Sequence, residues 1–314
     1  IDQIKPEWTR DYGYWLLKKP RPDGTARGVE QINNSITEIT KMYLSVAVRD
    51  RYISKDQVPE IDRLKQQPDE SYKRDILSLE QYEKLWKFMY YKWIADSNIT
   101  QIEKQKRIIF YNIIGILYNT GLRPKELLGL KVLEITKNEA DSKELQETHL
   151  KIKVRADNSK TGKSRIIVSP IKKRVDRIKE AYKKLGVEHR QDDYLIFNPH
   201  SKVRKEYTRQ ALYLRLQEVL EKSGLKKELA EDKLKVSLYS SRHAFITWRL
   251  RYGNVPIHLV AKIAGTSIQK IEQTYGHIEV EKQTEMLTRN QGRARTAGVD
   301  LESRIEAEEI SNDL

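Results

Sequence analysis

The stretch that decides the fold is Tyr239-Ser-Ser-Arg-His-Ala-Phe-Ile-Thr-Trp248, followed by Gly265-Thr-Ser-Ile-Gln-Lys-Ile-Glu-Gln-Thr-Tyr-Gly-His277. It places Arg242 directly before His243, and Tyr275 about two short helices later. Arginine carries several donors in a fixed planar fork, which suits a phosphate group. A tyrosine hydroxyl can attack phosphorus where neighbouring groups stabilise the charge that develops. The stretch therefore indicates phosphate chemistry, and two stretches upstream support this interpretation.

The first upstream stretch is Gly121-Leu-Arg-Pro-Lys-Glu-Leu-Leu-Gly-Leu130, which follows an apolar run at 108–117 that predicts a buried helix. Arg123 and Glu126 are three residues apart, so we expect both on one face of a helix over 124–130. An ordinary surface ion pair is the alternative. The position at the mouth of a buried helix favours an arginine that a carboxylate holds in place.

The second upstream stretch, Asn158-Ser-Lys-Thr-Gly-Lys-Ser-Arg165, is basic and lies among segments rich in Val and Ile. It predicts the tip of a hairpin, with strands near 131–137, 148–155 and 164–168. A solvated turn is the alternative. A basic hairpin can instead place one lysine in a DNA groove or against a leaving oxygen.

Composition narrows the class of protein. The 314 residues suffice for two domains, and 59 Lys and Arg against 45 Asp and Glu give a net charge of +14. This excess favours nucleic acid as a partner over a merely solvated basic surface. The absence of cysteine excludes disulfides and thiolate metal sites. Without a membrane-length apolar run or a visible signal peptide, we expect a soluble cytoplasmic protein.

The chain shows a change of pattern that predicts two domains. Apolar residues from Val29 to Val46 recur at helical spacing, which predicts a long amphipathic helix to about Arg51. Prolines and many charges follow without periodicity. We therefore expect a small helical domain and a linker before the catalytic domain and an acidic tail, at 1–65, 66–75, 76–290 and 291–314. Because the chain starts with Ile1 rather than Met, we also expect that an N-terminal piece is missing.

Further helices are predicted in the catalytic domain. Ser78 and Gln81 form the pattern of a capping box that opens a helix through Tyr91. Other helical segments are expected at 170–185, 208–223 and 237–290.

Four motifs occur in order: Gly-Leu-Arg-x-x-Glu, a Ser-Lys-Thr-Gly hairpin, Arg-His, and Gly-Thr followed by Tyr-Gly-His, with Tyr275 ten residues after Gly265. In this the chain resembles the tyrosine recombinase (phage integrase) family, over roughly 76–280 and more loosely over 1–65. The resemblance implies a mostly α-helical fold with a small antiparallel β-sheet. It also implies two domains that form a C-shaped clamp around duplex DNA, the first being the helical core-binding domain.

The resemblance further implies a mechanism. Tyr275 would attack a DNA phosphodiester, form a 3′-phosphotyrosyl bond and release a 5′-hydroxyl. Arg123 and Arg242 would bind the non-bridging oxygens, with Glu126 supporting the first arginine. Lys160 matches the hairpin lysine that protonates the leaving oxygen. Lys163 is less favoured because it lies past the turn, and no metal or cofactor is expected because arginines supply the positive charge.

Two positions depart from the family pattern. Tyr239 stands where the family generally has His or Lys, and Thr266 where it has His or Trp. Neutral tyrosine, with a reference pKa near ~10, is a poor base at neutral pH, although both residues can donate a hydrogen bond to a phosphate oxygen. The general base is thus left unassigned. We interpret His243 as a packing residue, and His277 as either orienting Tyr275 or capping a helix.

The expected function is that of a site-specific recombinase that integrates or excises a mobile element, from a phage or a conjugative transposon. A non-catalytic DNA-binding protein and a type IB topoisomerase on the same scaffold are the alternatives. The family implies a homodimer on each double-stranded DNA site, a homotetramer at synapsis, possible accessory DNA-bending proteins, and association with the nucleoid. Ile278, Val280, Met286 and Leu287 form an apolar face, either for a neighbouring subunit or for their own domain.

Overall fold

The computed structural model describes residues 9–65, 75–139, 142–199, 204, 207–253 and 255–275. The chain divides into two compact units, Ile1–Tyr72 and Lys73–Leu314. The roles of these units and the domain limits of the sequence analysis stay predictions. His277, the apolar face from Ile278 to Leu287 and the tail 291–314 lie outside the described residues.

The described part of the first unit is built on the amphipathic helix that the spacing predicts. Helix α1 covers Tyr12–Lys18, and α2 covers Val29–Met42 and continues as a π-helical turn, Tyr43–Val48. Ile32 and Ile36 of α2 are buried against Leu64. Asn33 fixes the same segment, because its side chain bonds both the N–H and the C=O of Leu64. A 3₁₀ turn, Lys55–Gln57, lies in the chain between α2 and Leu64.

The described part of the second unit is mostly helical. Helix α3 opens with the predicted capping box, in which Ser78 Oγ accepts from the Gln81 N–H and the Gln81 side chain accepts from the Ser78 N–H. Its helices are α3 Leu79–Phe88 with a π-helical turn Met89–Trp93, α4 Gln101–Thr120, α5 Pro124–Leu128, α6 Lys143–Thr148, α7 Lys172–Lys184, α8 Arg209–Lys222, α9 Leu225–Glu231, α10 Ser240–Arg251 and α11 Ile257–Ala264. Residues 268–275 are also helical. Helix α4 lies at the centre and packs on both α7 and α10. None of the described helices is both long and apolar enough to cross a bilayer.

The predicted antiparallel sheet has three strands in sequence order, β1 Ile135–Lys137, β2 Leu150–Val154 and β3 Arg165–Ser169. In the register of the sheet, Ile152 pairs with Ile135 of β1 on one side and with Ile167 of β3 on the other. Alternate residues of β2 are buried while its lysines point outward, as expected for a sheet with one covered face. Strand β3 packs on α4 and α11, which brings the hairpin beside the helices.

The structure differs from the predictions in three places. The first strand is shorter than 131–137, because Val132–Glu134 form a 3₁₀ turn before β1. Helices α6 and α9 were not predicted. Helix α6 buries no residue, so its sequence has no apolar periodicity that would indicate a helix. The helical region expected at 237–290 is interrupted, since α10 and α11 are separate and Gly265, at φ 64°, ends α11. Left-handed backbone there favours glycine and stops the helix.

The tight turn that follows the central helix contacts the helix that carries Arg242. Gly121 caps α4 with φ 65°, and a Cβ on it would lie 2.4 Å from the ring of Phe245 in α10. The Gly121 carbonyl accepts a hydrogen bond from Arg242 Nη1 at 2.7 Å. The residues 121–123 thus connect α4, α5 and α10 at one point.

Gly121→Ala should lower the free energy of unfolding by roughly 2–5 kcal/mol, because a left-handed non-glycine residue costs about 1–2 kcal/mol and overpacking about 1–3 kcal/mol. Gly186→Ala is the matched control: Gly186 has φ 77°, but no atom lies within 4 Å of the point that a Cβ on it would occupy. Chemical denaturation of both variants measures the difference. Equal losses would show that contact with Phe245 contributes nothing.

Candidate active site

Arg123 and Glu126 are held together at the start of α5. Arg123 is the N-cap residue, and Glu126 is the third residue of the helix. Glu126 Oε2 accepts from the Arg123 backbone N–H at 2.9 Å, and Oε1 accepts from Arg123 Nη1 at 2.7 Å. The predicted pairing is present, but the expectation that both residues share one helix face is wrong, because Arg123 precedes the helix and Glu126 reaches back to it.

Arg165, at the start of β3, is a third member that the sequence analysis missed. Its Nη2 donates to Glu126 Oε2 at 2.6 Å and its Nη1 to Oε1 at 3.1 Å. Strand alternation was the available signal, since Arg165 shares the inward face with the buried Ile167. An arginine at an inward strand position needs a buried acidic partner.

Both arginines also bind the end of α11. Arg165 Nε donates to the Ile263 carbonyl at 2.8 Å, and Arg123 Nη2 donates to the Gly265 carbonyl at 2.9 Å. The carbonyls at a helix C-terminus carry partial negative charge and lack partners within the helix. Glu126 therefore fixes two guanidinium groups that in turn fix α11 and the chain that leads to Tyr275.

The electrostatics of this cluster favour an anion. Burial alone would raise the pKa of Glu126, but hydrogen bonds from Arg165 and from Arg123 lower it below the ordinary value, so the carboxylate stays charged. Burial and then the positive charge of Arg123 lower the pKa of Arg242 to about 10. Arg242 thus remains protonated at neutral pH, so this cluster holds three positive guanidinium groups and one carboxylate.

A cavity of about 560 Å³ opens beside Arg123 and Glu126. Lys160 and Tyr239 line the same cavity, together with Arg209 from the start of α8. Arg242 lies close by but is buried, at 3% exposure, and its Nη1 is bound to Gly121. The structure thus brings five predicted residues into one region, since Arg123, Glu126, Lys160 and Tyr239 border the cavity and Arg242 lies next to Arg123.

Thr266 and Lys163 lie elsewhere. They line a separate depression together with Lys153 and Lys270. Thr266 follows the Gly265 carbonyl that Arg123 binds, but its own backbone N–H donates back to Ala261. The structure does not place Thr266 in the cavity that holds Lys160.

The hairpin that carries Lys160 is anchored to α5. Asn158 Nδ2 donates to the Glu126 carbonyl at 2.8 Å. Asn158 Oδ1 lies against Gly129, where an added Cβ would approach it to 2.4 Å. Ser159 and Thr161 bond each other across the turn. The turn is therefore tied to the element that holds the arginines, which keeps the lysine beside the cavity.

Tyr275 belongs to the helical segment 268–275, within the region that the sequence predicts to be helical. It is 5% exposed and packs with Phe245, Val260 and Ile271. Its hydroxyl contacts Nδ1 of His243. His243 does pack, as the sequence interpretation expects, since its ring contacts those of Tyr239 and Tyr275. That interpretation omits one contact, because an imidazole nitrogen also touches the hydroxyl of the predicted nucleophile.

The chain is similar to known proteins in both sequence and fold. Residues 76–282 match the phage integrase family. No curated protein matches the chain. The fold is similar to that of XerH site-specific recombinase bound to palindromic difH substrate in a post-cleavage complex, with a TM-score of 0.58 and 16% identity over 92% of this chain and 73% of that chain. It is also similar to the Tn1549 transposon integrase in complex with transposon right end DNA, with a TM-score of 0.56 and 18% identity over 92% of this chain and 86% of that chain. A lambda integrase dimer bound to a COC′ core site gives a TM-score of 0.55 and 14% identity over 87% of this chain and 80% of that chain.

Glu126→Gln should destabilise the second unit by about 3–5 kcal/mol at neutral pH, because it leaves buried guanidinium groups without a countercharge. Glu83→Gln, which breaks an exposed ion pair with Lys87, is the control and should leave the free energy of unfolding almost unchanged. Chemical denaturation measures both.

The pH dependence has a defined sign. Since the folded-state pKa of Glu126 is lowered, its contribution is complete above the ordinary value of about 4.3 and is lost as pH falls through the lower folded value. The stability gap between wild type and Glu126→Gln should therefore narrow only below about pH 4. A gap that closes between about pH 7 and pH 5 would contradict this assignment.

Proposed function

The chain belongs to the phage integrase family, and from this premise we propose that it is a site-specific DNA recombinase that cleaves and rejoins strands through a 3′-phosphotyrosine intermediate. Its biological task would be the integration or excision of a mobile element. The solved relatives named above were captured on DNA, which supports double-stranded DNA as the partner. The net charge of +14 supports the same partner.

One observation carries the proposal. The Nε of Arg123 is buried and has no hydrogen-bond partner among the described residues, although Nη1 and Nη2 of the same side chain are both bonded. A buried donor without a partner costs free energy. Arg123 lines the same cavity as Lys160 and Tyr239. A phosphate oxygen in that cavity would satisfy the donor and offset the positive charge that Arg242 adds.

The residues then divide the work. Arg123 and Arg242 bind the non-bridging oxygens and stabilise the charge of the pentacoordinate transition state. Glu126 holds Arg123 in position, and the Gly121 carbonyl holds Arg242. Lys160 protonates the leaving 5′ oxygen, and Tyr239 donates a hydrogen bond from the cavity wall. Thr266 is given no role at the phosphate, since it lines a different depression. Tyr275 is the nucleophile, so its helical segment has to present the hydroxyl to the bound phosphate.

Assembly follows from the reaction. Exchange of strands requires two duplexes and four cleavages, so we propose a dimer on each DNA site and a tetramer at synapsis, with accessory DNA-bending proteins as further partners. A type IB topoisomerase would use the same chemistry without synapsis. Relaxation of supercoiled plasmid that lacks a specific site would favour that second function, and strand exchange between two selected sites favours the first.

The proposal is tested with a library of nicked duplexes that carry randomised sequence. A nick beside the cleaved phosphate lets the short 5′-hydroxyl fragment diffuse away, so that covalent complexes accumulate. We expect a denaturation-resistant protein–DNA adduct, and sequencing its DNA gives the preferred site. Strong binding to the library without any adduct would instead support the non-catalytic DNA-binding function.

Tyr275→Phe removes one oxygen and should abolish the adduct while DNA affinity is retained. Tyr239→Phe should slow cleavage by roughly 10- to 1000-fold, the scale of one lost hydrogen-bond donor, and still give adduct. Peptide mapping of the trapped complex identifies the linked tyrosine. A DNA label on the peptide that contains Tyr239 would overturn the assignment of the nucleophile.

Lys160→Ala should slow cleavage of ordinary DNA by about 10²–10⁴-fold, the usual contribution of a general acid. DNA with sulfur at the 5′ bridging position should be cleaved at close to the wild-type rate, because a thiolate leaves without first gaining a proton. Lys163→Ala is the control from the same hairpin and should behave like wild type on both substrates. Rescue of Lys163→Ala rather than Lys160→Ala would exchange the two roles.

A further inference from the structure

The general base of the proposed reaction is unassigned by sequence, because Tyr239 stands where an imidazole or an amine is expected. The structure supplies an imidazole one helical turn further along α10. His243 is four residues after Tyr239, so the two side chains lie on the same side of the helix. Their rings meet edge to face with centroids 5.0 Å apart.

His243 lies between the cavity wall and the nucleophile. On one side its ring contacts Tyr239, which lines the cavity. On the other side Nδ1 contacts the hydroxyl oxygen of Tyr275, and the two ring centroids are 6.0 Å apart. The side chain is half-buried, so it reaches the interior without being enclosed by it.

The surroundings of Tyr275 make a proton acceptor necessary. The tyrosine is 5% exposed and lies in an apolar cluster with Phe245, Val260 and Ile271. Burial in apolar surroundings disfavours the charged phenolate. Attack by this oxygen therefore requires that its proton leaves as the bond to phosphorus forms. Imidazole is the side chain best matched to proton transfer near neutral pH.

The contact has the atoms that such a transfer needs. With its own proton on Nε2, neutral imidazole presents Nδ1 as an acceptor, and the Tyr275 hydroxyl donates to it. A base must lie within hydrogen-bond reach of the proton that it removes, and this pair meets that condition.

We propose that His243 is the general base of strand cleavage, an inference that rests on the proposed function. The Tyr275 oxygen forms a bond to phosphorus while its proton passes to His243 Nδ1. The bond from phosphorus to the 5′ oxygen breaks, and that oxygen takes a proton from Lys160. Rejoining reverses each transfer: the 5′-hydroxyl returns its proton to Lys160, and the departing tyrosyl oxygen regains its proton from His243.

Two substitutions separate proton transfer from simple positioning. His243→Asn places an amide close to the position of Nδ1, so it keeps a hydrogen bond to Tyr275 but cannot accept a full proton. His243→Ala removes both functions. Single-turnover adduct formation on a nicked duplex selected from the library should fall by roughly 100-fold or more in both variants, within the general-base range of about 10²–10⁴. DNA affinity and thermal stability of the Asn variant should match wild type.

Chemical rescue gives a readout that a structural role would not move. Added imidazole should restore part of the rate of His243→Ala, because it enters the vacated space, and should leave Tyr275→Phe inactive. DNA with a 5′ bridging sulfur should restore Lys160→Ala but not His243→Ala, since the sulfur replaces the need for the acid alone.

Each contrary result has a distinct meaning. If His243→Asn lowers the rate by less than about tenfold, the loss is smaller than a general base contributes. That result would overturn the base assignment and leave His243 with a positioning hydrogen bond. Rescue of His243→Ala by the bridging sulfur would also overturn it. An adduct that forms equally fast in wild type and both variants rejects this inference alone, whereas no wild-type adduct on any duplex rejects the proposed function and this inference with it.

Discussion

The structure of the site depends on one buried carboxylate. Glu126 is 1% exposed and binds Arg123 and Arg165, which in turn bind the carbonyls of Gly265 and Ile263 at the end of α11. One anion thereby joins α5, β3 and α11, three elements that are far apart in sequence. Removing one partner of a buried ion network leaves an uncompensated charge that costs about 3–5 kcal/mol. The same network that stabilises the fold therefore orients the guanidinium groups.

The cluster is also left with excess positive charge. Arg242 is buried near Arg123, and burial together with that neighbouring charge lowers its pKa to about 10. Such an arrangement is unfavourable without an anion and favourable with one. Donors that are fixed before the substrate arrives need no reorganisation when charge develops, which is the main source of electrostatic catalysis. Because folding already holds these arginines together, no further free energy is needed to position them for the proposed transition state.

Short-range patterns predicted most of the helices and the local part of the site. The capping box at Ser78, the turn at Gly121 and the Arg123–Glu126 pair are all encoded within a few residues. Strand alternation marks Arg165 as inward-facing but does not identify its partner Glu126, 39 residues away. No local pattern records the contact between His243 and Tyr275, which are 32 residues apart. Thr266 stands at a motif position in the sequence, yet in the structure it follows the end of α11 at Gly265 and lines another depression.

The proposed function requires that this arginine cluster binds the phosphate that is cleaved. A crystal structure of the Tyr275→Phe variant on duplex DNA with its selected site tests that requirement most directly. We predict the phosphate between Arg123 and Arg242, within about 3 Å of guanidinium nitrogens, with Lys160 beside the 5′ oxygen. A cleavage-site phosphate bound instead in the depression of Lys153, Lys163 and Lys270, with the cavity at Arg123 free of DNA, would contradict it.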